Sequence, residues 1–148
     1  MRQGLFKVIQ NETINDQYFV LTIEAPSLAD ITKPGQFFEV KSDFQLLRIP
    51  ISIYNVDDDK IQLMIKIIGD GTKKLSEIKA NETIDLIGPL GNNFSIEENK
   101  KVLLVSGGIG YPPLSFLKKN LSACETFWIH GGRTKEDIFP ADLVYTDD

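Results

Sequence analysis

The chain has 148 residues, 42% of them hydrophobic and 25% charged, which is enough for a folded core and excludes wholesale disorder. The 16 Lys and Arg against 21 Asp and Glu give a net charge of −5; with no basic block, nucleic acid and anionic membrane are excluded as main partners. No apolar run approaches the roughly 20 residues of a membrane span, the start lacks the apolar stretch of a signal peptide, and one cysteine, Cys124, allows neither an internal disulfide nor a cysteine-based metal site. A cytoplasmic protein is the expectation.

The first strand is expected over Leu5–Gln10. Next, Phe19, Leu21 and Ile23 alternate with Tyr18, Val20, Thr22 and Glu24, the period of a half-buried strand. Further strands are expected at Gln36–Lys41 and Pro50–Asn55. Lys60–Ile68 is the clearest strand, with Ile61, Leu63, Ile65 and Ile67 on one face and Gln62, Met64 and Lys66 on the other. A short helix over Thr72–Ile78 takes Thr72 as its N-cap, and a strand over Thr83–Ile87 follows. Turn residues separate these pieces, as at Lys33-Pro34-Gly35 and Asp57-Asp58-Asp59. About six short strands at this spacing predict a small antiparallel barrel.

From Lys101 the texture changes. Val102–Val105 is a continuous apolar run, the pattern of a strand buried on both faces. Glycines follow, then a helix with Pro112 and Pro113 in its first turn and Leu114, Leu117 and Leu121 on one face. A second buried strand is expected at Thr126–His130, a short helix at Thr134–Phe139 and a third strand at Leu143–Thr146. Strand and helix in alternation predict the start of a parallel sheet. The fold class is therefore mainly β with an α/β part, divided at the polar segment Ser95–Lys101 into residues 1–99 and 100–148.

Four stretches carry possible chemistry. In Val105–Pro113, glycines between a strand and a helix permit close backbone approach and offer N–H groups to a phosphate. The stretch fits a bare tight turn equally well, and it lacks the third glycine of G-x-G-x-x-G. Gly69–Ser76 repeats the arrangement, although an ordinary capped turn accounts for it. Leu46–Ile53 places Arg48 near Ser52, a charge for a phosphate and a hydroxyl for a heterocycle. Leu86–Phe94 has the glycines and proline of a shaped loop leaving the barrel. His130 is the only histidine, so a histidine pair for a metal or a triad is absent; it reads as a strand-end residue. Arg133, after two glycines, reads as an exposed loop residue within reach of a nucleotide.

Taken in order, these four stretches and Gly131–Asp137 resemble the ferredoxin–NADP reductase superfamily, a flavin barrel followed by a nicotinamide-binding α/β domain. Within it the match runs to the electron-transfer subunits of dihydroorotate dehydrogenase. The resemblance implies FAD as cofactor and NAD(H) as substrate. Arg48, Ile49, Pro50, Ile51 and Ser52 would line the flavin, Met64, Ile65 and Lys66 would present backbone to it, and Gly71 and Thr72 would cradle its pyrophosphate. Gly107, Gly108 and Gly110 would floor the nicotinamide nucleotide. No catalytic side chain and no metal ligand is implied for this chain.

Two departures stand out. The family often has arginine immediately before the proline; here Ile49 stands there and the arginine is Arg48. The family's subunit also carries a [2Fe–2S] centre, which takes about four cysteines where this chain has one. The resemblance thus implies a C-terminally truncated, functionally impaired portion of a subunit that passes electrons between NADH and a catalytic dihydroorotate dehydrogenase partner in a hetero-oligomer. Alternatives are a related reductase subunit with another acceptor, or a non-catalytic flavin-binding fragment.

Overall fold

The computed structural model describes residues 1–41 and 47–147. Leu46, the first residue of one predicted motif, and Asp148 lie outside the described residues. Among the described residues, seven strands form one antiparallel sheet: β1 (Arg2–Asn15), β2 (Tyr18–Glu24), β3 (Phe37–Lys41), β4 (Ile49–Ser52), β5 (Asn55–Asp57), β6 (Lys60–Lys66) and β7 (Thr83–Leu90), in the order β4-β3-β7-β1-β2-β6-β5. The sheet curls without closing: no ladder joins β4 to β6 among the described residues. The predicted barrel is therefore a half-barrel with a seam. Two short helices, α1 (Pro26–Ala29) and α2 (Asp70–Ser76), lie in its connections.

The sheet encloses Phe19, Leu21, Ile23, Phe38, Ile61, Leu63, Ile65 and Leu86, all buried. The alternation in β2 and β6 puts these residues on one face, as predicted. The opposite face is buried too, which the half-buried reading missed. Tyr18 and Val20 on β2 and Met64 on β6 pack against Leu104, Tyr111, Leu117, Trp128 and Phe139 from the second part of the chain. Apolar surface here faces a neighbouring layer instead of water.

That layer is a parallel sheet of β8 (Lys101–Gly107), β9 (Glu125–Gly132) and β10 (Leu143–Thr146), in the order β10-β9-β8. Helix α3 (Tyr111–Lys119) crosses from β8 to β9, with Pro112 in its first turn as expected. Only one face of this sheet is covered. Leu104 and Trp128 are buried, whereas Leu103 is 62% exposed, Val105 63% and Phe127 50%. The expectation that Val102–Val105 is buried on both faces is thus corrected, because α3 covers one side and no described element covers the other.

Other boundaries also move. Pro50–Asn55 is not one strand but the end of β4 and the start of β5. Strand β7 runs on through Gly88 and Pro89, because Leu90 still pairs with Phe37, so the predicted exit loop starts at Gly91. The helix at Thr134–Phe139 shrinks to a 3-10 turn over Lys135–Asp137. No helix among the described residues is long and apolar enough to cross a membrane.

Candidate functional site

The seam between β4 and β6 opens into a cavity of about 260 Å³. Ile49, Pro50, Ile51 and Ser52 form one wall and Met64, Ile65 and Lys66 the other, with Ile68, Thr72, Ile109 and Pro112 closing the ends. Eight of the predicted cofactor residues, Thr72 included, therefore meet in one place. The lining is mostly aliphatic, with one ammonium and two hydroxyls, a composition suited to a flat heterocycle with a few polar edges.

Two predicted residues take other roles. Arg48 forms an ion pair with Asp85 on β7 and donates to its main-chain oxygen at 3.3 Å; it does not line the cavity. Thr72 lines the cavity, but it is not the N-cap of α2. That position is Gly69, and Thr72 lies three residues inside. Its hydroxyl accepts from the Ile68 N–H at 2.9 Å and the Gly69 N–H at 3.2 Å, reaching back to the free N–H groups at the start of the helix. Gly71, within α2, is not among the lining residues.

A second, wider cavity of about 520 Å³ adjoins the first. Gly107, Gly108 and Ile109 at the end of β8 and Gly131, Gly132 and Arg133 at the end of β9 surround it, with Lys66 and Asp137. It opens at the C-terminal ends of parallel strands, where α/β sheets hold ligands. The two cavities share Lys66 and Ile109. The glycines leave room: a Cβ on Gly110 would meet nothing within 4 Å, and one on Gly107 only the Gly131 oxygen at 3.9 Å. Gly108 has φ +47°, a backbone that favours glycine. Gly110 itself does not line the cavity.

Between the cavities, Asp137 gathers two donors at one oxygen. The Tyr18 hydroxyl and the Lys66 ammonium both donate to Oδ1 at 2.5 Å. Tyr18 and Lys66 are direct cross-strand partners on β2 and β6, so the register presents them to Asp137 together. The Lys66 hydrogen bond, then that from Tyr18, holds the Asp137 carboxyl below the usual carboxylate range. Burial, reinforced by Asp137, pushes the Tyr18 hydroxyl up, so it remains a donor at neutral pH. Tyr111 is likewise pushed up to about 12, chiefly by burial; its ring stacks on Trp128 with centroids 4.5 Å apart.

Sequence reasoning missed Tyr18, Gly132 and Asp137. A Cβ on Gly132 would come within 2.5 Å of the Asp137 Cβ. The second glycine of the pair that ends β9 therefore serves the close return of the chain there, and that pair was the one signal available. Arg133, read as an exposed loop residue, is exposed and also lines the second cavity.

No protein-family model matches the chain. The chain is 37% identical over 131 residues to the electron transfer subunit of dihydroorotate dehydrogenase B (NAD(+)) of Clostridium acetobutylicum, covering 86% of this chain and 52% of that protein. It spans about half the length of the curated relatives it matches. Among solved structures it superposes on an NADH-dependent reduced ferredoxin-NADP oxidoreductase with TM-score 0.85 at 28% identity, covering 97% of this chain and 56% of that one. It also superposes on ferredoxin-NADP+ reductase from Plasmodium falciparum with TM-score 0.75 at 18% identity, over 93% of this chain and 62% of that one. In sequence, then, the chain is a relative of the electron transfer subunits of dihydroorotate dehydrogenase B, and its fold is that of the ferredoxin–NADP reductases.

Proposed function

We propose that the chain is the FAD- and NAD(H)-binding portion of a cytoplasmic electron-transfer flavoprotein, which passes electrons between NADH and a catalytic dihydroorotate dehydrogenase subunit in pyrimidine biosynthesis. The observation that carries this reading is the pair of adjoining cavities with Lys66 and Ile109 in common. Hydride transfer needs two rings brought face to face, and a shared wall is where two such ligands meet.

In this reading the aliphatic seam cavity takes the flavin ring between Ile49–Ser52 and Met64–Lys66, with Gly71 and Thr72 toward the pyrophosphate. The glycine-lined cavity takes the nicotinamide nucleotide over Gly107 and Gly108, with Gly110 at the start of α3. Arg48 stays on Asp85 and supports β4 from outside. The division into residues 1–99 and 100–148 follows the two sheets, with the cavities at their junction. FAD, when bound, supplies the conversion between two-electron and one-electron transfer. The chain's residues bind and orient; no side chain is required as a strong acid or base. The likeness to the NADH-dependent ferredoxin-NADP oxidoreductase supports a second reading, in which the same two ligands serve another acceptor.

Titration with FAD tests the proposal: flavin fluorescence is expected to be quenched at one equivalent. Rapid mixing of the loaded protein with NADH is expected to bleach the flavin absorbance. A protein that quenches no flavin sinks both readings. Flavin bleaching followed by reoxidation with a ferredoxin, and not with the dihydroorotate dehydrogenase subunit, selects the second.

A further inference from the structure

We propose that His130 is a positioning residue for the second cavity, fixing the loop whose Asp137 holds Lys66 on the wall between the two cavities. The inference rests on the reading above, in which that cavity takes the nicotinamide nucleotide.

His130 lies on β9 and is 0% exposed. Its Nε2 is 2.8 Å from the main-chain oxygen of Asp137. A carbonyl can only accept, so Nε2 must carry the hydrogen. Nδ1 is then bare and accepts from the Ser106 hydroxyl at 2.8 Å. That leaves the Ser106 oxygen to accept from Trp128 Nε1–H at 2.9 Å. Each donor in this series finds one acceptor, and of the two neutral forms of the ring the Nε2–H form alone gives the Asp137 oxygen its donor. Moving the hydrogen to Nδ1 would let that nitrogen donate to Ser106, but it would set a bare Nε2 against the Asp137 main-chain oxygen and leave that buried acceptor without its donor, which is costly.

The series ends where the site begins. Asp137 closes the 3-10 turn after β9, and its N–H donates to Thr134 O at 3.0 Å. Asn15 holds the neighbouring Glu136 oxygen at 3.0 Å. With the main chain pinned by His130, the Asp137 carboxylate meets Tyr18 and Lys66, each at 2.5 Å. Lys66 spends one of its three N–H donors there while lining both cavities. His130 itself lines neither cavity. It acts through Asp137, and what it sets is where the Lys66 charge stands when an anionic nucleotide arrives.

One histidine and one tryptophan in the chain make the test clean. The imidazole nitrogen resonances at neutral pH are expected to show the Nε2–H form; a predominant Nδ1–H form overturns the proposal. NADH affinity of the FAD-loaded protein is then compared across variants. His130→Leu is expected to weaken NADH about tenfold and His130→Gln, which keeps a donor and an acceptor, by less than about threefold. Trp128 emission is expected to change in His130→Leu and in Ser106→Ala. Should His130→Leu not fold, Ser106→Ala carries the test, with a several-fold loss of NADH affinity.

Equal NADH affinity in all variants overturns the positioning role. A wild-type protein that binds neither FAD nor NADH overturns the proposed function instead. Amide exchange then reads the loop without ligand: at Asp137 and Ile138 it is expected to be about fivefold or more faster in His130→Leu and unchanged in His130→Gln. Equal exchange in all three proteins overturns the inference.

Discussion

Asp137 is a buried carboxylate that stays charged because Lys66 and Tyr18 donate to one of its oxygens. The sign of its effect on stability follows. Its carboxyl titrates below the usual value of 3.8 in the folded chain, so the unfolded chain binds the proton more readily. The contribution is therefore complete above the ordinary carboxylate range and is lost as pH falls through the folded value. Urea unfolding of the wild type and of Asp137→Asn is expected to differ by about 2 kcal/mol at neutral pH, the cost of a charged hydrogen bond lost from a buried site. The gap should narrow steadily below about pH 4. A gap that stays constant to low pH would show that the carboxylate is not the stabilising form. None of this was legible in the sequence. Tyr18 and Lys66 lie 119 and 71 positions from Asp137, and each reads locally as an ordinary polar residue. Tertiary register alone brings them together.

Among elements, β6 was the most legible, because its alternation marks one strict inner face. What it could not show is that Met64, on the other face, also packs against a second sheet. A period of two tells which residues share a face and not what covers that face. Strand β8 failed in the opposite sense: its unbroken apolar run reads as burial on both sides, yet α3 covers only one. Strand β4 was legible as a strand, while the arginine read as a phosphate ligand beside it is not among the residues lining the seam cavity. Arg48, just ahead of it, is fastened to Asp85 two strands away, across β3. That places its contribution on the attachment of an edge strand. Arg48→Ala is expected to lower unfolding free energy by about 1 kcal/mol, the range of a well-formed partly exposed pair, with FAD affinity changed less than about threefold. A large loss of FAD affinity without loss of stability would return Arg48 to the phosphate.

Across the whole molecule, the two sheets differ in how completely they are covered. The half-barrel closes its core with its own strands, with Leu28 and Leu75 of its short helices and with Phe116 of α3. The parallel sheet leaves Leu103, Val105 and Phe127 open on one face, and β8–β9 pairing sets Leu103 opposite Phe127. An apolar patch on sheet strands with open edges favours association. The isolated chain is expected to bind a hydrophobic dye and to sediment as oligomers at high concentration. The double substitution Val105→Lys with Phe127→Lys should reduce both without lowering the thermal midpoint; undiminished association would place the sticky surface elsewhere.

The wall common to the two cavities has a thermodynamic consequence. Lys66 and Ile109 cannot be adjusted for one ligand without being adjusted for the other. If the two cavities hold the two ligands proposed above, their occupancy is linked through this wall, and linkage is reciprocal: the factor by which the first ligand changes affinity for the second is the factor by which the second changes affinity for the first. On that reading the coupling measured by adding either ligand second must be the same.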